Sequence, residues 1–301
     1  MFIFRLFRFL GLSIILASIA AFAHAAPGKL PPKHIRSTSK LQNKQFVQLQ
    51  DIALSPQKNR LYVIDRRNHQ VNLLNSESLG LIKAFGEKNL RFPQDITMTP
   101  NQHILVADGK QGTIVRWDVN HLIPKYLGAV RFPKKNVHSI AAINNQTYVF
   151  LDSFRNRLAL VKNDKILREI GGLGQGRQQF RNPKDVFYKN DKIFVADTGN
   201  KRILVFDTKL KPLFTLNKNA TFPFLKPNAV TVDERGFLFV ADEGRHIVWI
   251  FDQNYHVINS VNYLTLKRRK LYRPSGVAAT KGKLWVSSDS QNGLFLFKLN
   301  H

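Results

Sequence analysis

Ile193-Phe-Val-Ala-Asp197 is followed, after the polar turn Thr198-Gly-Asn-Lys-Arg202, by Ile203-Leu-Val-Phe206, and this pairing decides the fold because it recurs. The equivalents of the acid-ended run are Leu61-Tyr-Val-Ile-Asp65, Ile104-Leu-Val-Ala-Asp108, Tyr148-Val-Phe-Leu-Asp152, Leu238-Phe-Val-Ala-Asp242 and Leu284-Trp-Val-Ser-Ser288. Each is followed by a further apolar run: Val71-Asn-Leu-Leu, Ile114-Val-Arg-Trp, Leu158-Ala-Leu-Val, Ile247-Val-Trp-Ile and Leu294-Phe-Leu-Phe. Runs of four to six residues, rich in Val, Ile and Phe and parted by polar turns, are strands and are too short for helices.

Six copies of one unit make this a repeat architecture. A run before the anchor and one after the third, such as Gly80-Leu-Ile-Lys-Ala-Phe85 or Ile166-Leu-Arg-Glu-Ile170, complete four strands per unit. Radial repetition of four-stranded antiparallel sheets is a β-propeller, so the expected fold is all-β and six-bladed. The sixth unit reaches only its third strand at Phe297, and His34 to Leu41 is expected to supply the missing one, closing the ring and covering an exposed edge.

The chain has 301 residues, 46 Lys plus Arg against 20 Asp plus Glu, and no cysteine. Its apolar and aromatic content is enough for a packed core, which excludes a disordered or fibrous chain. The lack of cysteine excludes a disulfide framework, thiolate metal sites and a Cys nucleophile. Arg5 and Arg8, an apolar stretch from Phe9 to Phe22 and the small residues of Ala23-His24-Ala25 form a tripartite export signal over residues 1–25. That stretch falls short of a membrane span, so cleavage before Ala26 and a periplasmic or secreted product are expected, with no transmembrane span left. Residues 26–33, rich in proline, read as an extended lead-in, and residues 34–301 as the propeller.

Phe180-Arg-Asn-Pro183-Lys-Asp-Val186, together with the run Ile193 to Asp207, resembles an NHL repeat almost position for position. Phe92 to Asp118 and Pro227 to Asp252 are similar but weaker, the third unit lacks the proline before its first strand, and the sixth carries Ser288 in place of the acid. The resemblance covers nearly all of the chain after the signal and implies a six-bladed NHL-type propeller. That scaffold hosts RNA binders, protein-docking modules and a few metal-dependent enzymes, so function has to be argued from the site.

The connectivity implied by the resemblance puts the turns between second and third strands, and the links between blades, at one end. That end collects twenty-four basic residues against eleven acids, and the other end twelve against eight. Its candidate binding residues are Arg66, Arg67, Arg155, Arg157, Arg177, Arg181, Lys201, Arg202, Arg245, Lys267, Arg268, Arg269, Lys270 and Arg273. Such a concentration focuses potential and attracts polyanions. Arg157 and Arg202, each five residues after an anchor acid, have a competing structural role as partners of those acids.

The expected partner is an anionic envelope glycolipid or polysaccharide, or a protein, with nucleic acid less favoured for an exported chain. The chain is expected to act as a monomer, without catalysis and without a cofactor. The alternative is a metal-dependent lactonase- or lyase-like enzyme at the channel mouth, where Asp51, Asp95, His138, Asp185 and Asn228 begin the first strands and offer oxygen and imidazole donors to calcium or zinc. Three of those acids share one repeat position, which favours a structural use. Gly171 to Gly176 superficially suggests a phosphate loop but lacks the Lys-Ser/Thr ending and a following helix, so it reads as a link between blades. Phe132, Phe154, Phe180, Phe222 and Tyr272 lie among the basic loops, and the regular placing of Phe132, Phe180 and Phe222 favours packing between blades over stacking on a ligand.

Overall fold

A computed structural model describes residues 31–41, 44–109, 112–216, 224–262, 271–290 and 293–300. Six four-stranded antiparallel sheets follow one another along the chain. The innermost strands are Leu49–Ser55, Pro93–Met98, Val137–Ala142, Asp185–Lys189, Pro227–Val232 and Pro274–Thr280. Each packs against the innermost strands of both neighbouring blades, and the sixth returns to the first, so the sheets close into a ring around a central channel. The acid-ended runs are the second strands, and the runs after them the third, as the repeat predicts.

Closure is antiparallel pairing of Lys33–Thr38 with Gly293–Lys298, which makes the N-terminal strand the outer strand of blade six. The closing strand is shorter than expected. Lys40–Leu41 turn back to pair with Lys44–Gln45 instead, and the register against blade six slips between His34 and Arg36. Past Thr38, opposite Leu294, blade six has almost no third strand left to pair with, since Gly293 is its first residue.

Alternation along the strands turns apolar side chains to both faces of each sheet, and six buried clusters result, one at each junction between blades. The junction of blades three and four, for example, holds Leu151, Leu158, Phe180, Val195 and Phe206. Phe132 and Phe180, 6% and 0% exposed, are packing residues, whereas Phe154 is 79% exposed; Phe222 lies outside the described residues. Removing a side chain as large as Phe180 would cost about 3–5 kcal/mol.

Four of the five anchor acids hold the link that enters their blade, whereas Asp152 accepts the N–H of Arg155 in its own turn. Asp65, Asp108, Asp152, Asp197 and Asp242 are all buried at the ends of the second strands. Asp242 accepts the backbone N–H groups of Leu225 and Lys226, both at 2.8 Å, in the link that enters its own blade. Asp65 does the same for Val47 and Gln48, and Asp108 for Arg91 and Phe92. A carboxylate is used because it accepts from several donors at once. Ser288 inverts the arrangement and donates its hydroxyl to the carbonyl of Tyr272.

Candidate functional site

The channel is pinched where Asp51, Asp95 and Asp185 approach one another from three blades, and it opens as a cavity on either side of them. The end reached by the second-to-third-strand turns has a cavity of about 250 Å³ whose fourteen lining residues are all polar or charged. The cavity at the other end is larger, about 380 Å³, and most of the residues around it are apolar by type, among them Met98, Phe187 and Val232.

The repeat explains which side chains face the polar mouth. The inner-strand residue just before Asp51, Asp95, Ser139, Asp185, Ala229 and Gly276 contributes Gln50, Gln94, His138, Lys184, Asn228 and Ser275, one per blade. The residue after the anchor contributes Arg66, Glu243 and Asp289. Sequence reading placed Arg66 on the basic face without seeing that it lines the mouth, and it missed Gln48, Glu243 and Asp289. The column one residue past the anchor was the signal that could have found the two acids.

Beneath this rim lies a ring of latches between blades. Asp51 accepts the N–H of Ile96 at 3.3 Å, Asp95 that of Ile140 at 2.6 Å, and Asp185 that of Val230 at 2.7 Å. Ser139 occupies the same position in blade three and accepts the N–H of Val186 at 2.8 Å while donating to Asp185 at 2.9 Å. The last two junctions have no latch side chain, because blades five and six carry Ala229 and Gly276 there. Asn228 Nδ2 bonds the Pro274 carbonyl at 2.9 Å, and Ser287 bonds the Gln50 carbonyl at 2.7 Å. A Cβ on Gly276 would stand 2.5 Å from the Gln50 carbonyl oxygen, so the closing junction needs glycine for this close approach.

Packed protein surrounds the three carboxyls except where they meet the narrow channel. Burial, with Asp95 and Asp185 nearby, pushes Asp51 well above the ordinary carboxylate range. Burial and the Asp95 charge bring Asp185 up to about 7. His138 goes the other way: burial first, then the charges of Lys184 and Arg66, take its imidazole down to about 3. It is a neutral ring at physiological pH, able to accept a hydrogen bond or a proton. Burial also lowers Lys184.

As a set for a hard cation the three acids fit poorly. Their oxygens already accept backbone N–H groups that hold the ring together, which leaves few lone pairs directed at a shared cation. Among the described residues no group of three or more His, Asp or Glu has the spacing of a metal site.

The basic face divides in two. Arg155 pairs with Asp152 at 3.3 Å, Arg202 with Asp197 at 2.7 Å, Arg245 with Asp242 at 3.9 Å and Arg273 with Glu243 at 2.7 Å. Arg202, expected as a binding residue, is only 8% exposed and also donates to the carbonyls of Gln175, Gly176 and Gln179. The first two carbonyls belong to the glycine-rich segment, which therefore presents acceptors to a cation where a phosphate loop presents donors. Arg67, Arg157, Arg177, Arg181 and Lys201 are exposed. None of these five has an acid within ion-pair distance among the described residues. Lys267, Arg268, Arg269 and Lys270 lie outside the described residues.

No protein-family model matches the sequence, and no curated protein matches it. The architecture is similar to solved structures. One is a catalytically inactive virginiamycin B lyase from Staphylococcus aureus with quinupristin, at a TM-score of 0.61 and 15% identity, over 86% of this chain and 83% of that one. At that identity the likeness is one of fold. This chain is a six-bladed β-propeller.

Proposed function

We propose that this propeller is an exported binding module, periplasmic or secreted, that performs no chemistry and takes an anionic partner on its basic end. The observation that carries this reading is the set of five exposed cations, Arg67, Arg157, Arg177, Arg181 and Lys201, that structural carboxylates do not claim. Charges tied to anchor acids serve the fold. Cations left facing water around a polar channel mouth raise the local potential and draw in polyanions. An anionic envelope glycolipid or polysaccharide suits such a surface, with an acidic protein or nucleic acid as the other polyanionic partners.

The test is retention on sulfated dextran at rising salt. Many-charge contact predicts release only at high salt, and an Arg67→Glu/Arg157→Glu/Arg181→Glu variant that elutes markedly earlier. Salt-insensitive retention, or a variant that elutes with the parent, overturns the reading.

A lactonase- or lyase-like activity at the channel mouth is the second reading, and the neutral imidazole of His138 beside carboxyls of raised affinity for protons is what favours it. It predicts stoichiometric calcium or zinc by elemental analysis of the purified protein and loss of turnover in Asp185→Asn. Purified protein without metal removes it.

A further inference from the structure

We infer that the outer flank of blades two and three, towards the end opposite the basic one, docks on the surface of a bilayer that contains anionic phospholipid, with Leu122 and Ile123 entering its interface. The inference stands apart from the reading of the basic end, because it uses none of the same residues.

The flank follows from the repeat. In every blade the outer strand carries a bulge, in which two of its residues oppose one of the third strand. The residues left without a partner in the ladder are Ile82, Leu127, Leu167, Leu213, Ile258 and, on the closing strand, Ile35. Each is the second or third residue of its strand, close to the end where that strand begins. A bulge keeps an outer edge from pairing with other strands, but it does not require an aliphatic side chain. Ile258 is 5% exposed and belongs to the buried cluster between blades five and six, so there the side chain packs. The other five are exposed, Leu167 at 60%.

Blades two and three gather more apolar surface around this position. Leu127 is joined by Tyr126 and by Leu122 and Ile123 in the turn that leads into its strand, and Leu167 is joined by Ile166. All six are exposed, Ile123 at 72%. Arg116 of blade two pairs with Asp164 of blade three across the junction. Ile166 lies opposite Val161, a member of the buried cluster between these blades, and so faces blade two. The tip is held by blade one: Arg60 donates to the carbonyls of Val119 and His121, both at 3.0 Å, and Lys58 to that of Asn120 at 3.1 Å. A backbone already fixed with Leu122 and Ile123 turned outward loses little freedom on docking.

Charge selects the occupant. Lys125, Lys162, Lys165 and Arg168 border these side chains, are exposed, and have no acid within ion-pair distance among the described residues. Of the acids on the flank, Asp164 is paired with Arg116 and Glu169 with Lys135. Asp118 accepts two N–H groups of Asn120, both at 2.8 Å, and keeps its charge, which the four cations outweigh. A second copy of a chain with 46 basic and 20 acidic residues is repelled from such a surface. An anionic bilayer attracts the cations, takes leucine and isoleucine into its interface and lets the lysines reach back to the headgroups.

Residues 26–301 contain every strand of the ring and omit the apolar stretch from Phe9 to Phe22, which would itself enter a bilayer. Sedimentation of this chain with vesicles of equimolar phosphatidylcholine and phosphatidylglycerol should show binding about tenfold or more tighter than to phosphatidylcholine alone. Leu122→Ser/Ile123→Ser should weaken that binding by about tenfold or more, with thermal unfolding unchanged. The sequence has no cysteine, so Ile123→Cys and Lys201→Cys can each carry one environment-sensitive fluorophore. The fluorophore at 123 should shift to the blue and be quenched by spin-labelled lipid, and the one at 201, on the basic end, should not. The reverse pattern overturns the proposal and makes the basic end the lipid-facing one. Vesicle binding indifferent to Leu122→Ser/Ile123→Ser overturns it as well. So does an absence of vesicle binding; salt-dependent retention on sulfated dextran would then show that the basic end stands while the flank does not. Dimerisation that this double substitution abolishes, without vesicle binding, would assign the flank to a second copy instead.

Discussion

Asp185 in the fourth blade accepts the backbone N–H of Val230 in the fifth at 2.7 Å while Ser139 of the third donates to its other oxygen at 2.9 Å, so one side chain ties three blades together at the channel axis. A group with that position answers for both rigidity and charge. Its neighbours Asp51 and Asp95 are similarly engaged, and the three cannot all ionise cheaply at such close quarters.

The pH dependence of stability should carry the mark of Asp185. In the unfolded chain its carboxyl titrates near 4, and in the folded protein at about 7. Between those values the folded state holds a proton that the unfolded state has released, so stability falls as pH rises across the interval, by up to about 1.4 kcal/mol per pH unit. Asp185→Asn keeps an acceptor for Val230 and cannot ionise. Its melting temperature should therefore gain on the parent protein's from pH 4.5 to pH 8, and a difference that stays constant over that range counts against the account.

Two adjacent cations should behave in opposite ways. Lys201 is exposed, and Lys201→Ala is expected to move stability by less than about 0.5 kcal/mol. Arg202 is buried against Asp197 and three carbonyls, and Arg202→Ala leaves that carboxylate without its cation, at a cost of about 3 kcal/mol or more. Urea unfolding of the two variants measures the contrast. Equal effects would mean that the Arg202 network is not what fixes the glycine-rich link.

This contrast marks how far the sequence could be read. The repeat column that carries Asp65, Asp108, Asp152, Asp197 and Asp242 was legible because five acids recur at near-constant spacing after apolar runs, and the six blades follow from it. The fate of an arginine was not legible, since Arg157 and Arg202 share one repeat position yet the first is exposed and the second buried. What separates them is the link that packs on top: in blade four the Gln175 to Gln179 carbonyls point inward and claim the guanidinium. The three acids on the inner strands were recognised as a shared position, and their structural use as latches follows from the ring. The raised proton affinity of Asp51 and Asp185 could not be read, because it depends on which blades face each other across the axis.

Removal of the closing strand should weaken the whole ring. Among the described residues Lys33–Thr38 is the only partner of the outer edge of Gly293–Lys298, and His34 lies against Phe297 with ring centroids 5.6 Å apart. A chain begun at Gln42 leaves that edge unpaired and uncovers part of the last blade. A fall in melting temperature of more than about 5 °C is expected, given roughly 2–4 °C per kcal/mol for a protein near this size. Unchanged unfolding would show that blade six stands without its fourth strand.

His138 should remain neutral down to strongly acid pH. Burial is the first cause of its fall to about 3, and the charges of Lys184 and Arg66 add to it. Histidine resonances followed by NMR from pH 4.5 to pH 8.5 should therefore show no titration at this ring. Arg66→Gln should raise its value without restoring it to the ordinary 6.5, because burial persists. In the unfolded chain the same ring takes up a proton near 6.5 and in the folded protein it does not, so stability is lost as pH falls below that point. His138 thus lowers stability on the acid side and Asp185 on the neutral side. His138→Gln should flatten the acid limb and leave the rise in relative stability of Asp185→Asn intact. A His138 midpoint between 6 and 7 would show instead that the mouth is wetter than its packing implies, and would remove the neutral imidazole from any chemistry assigned to it.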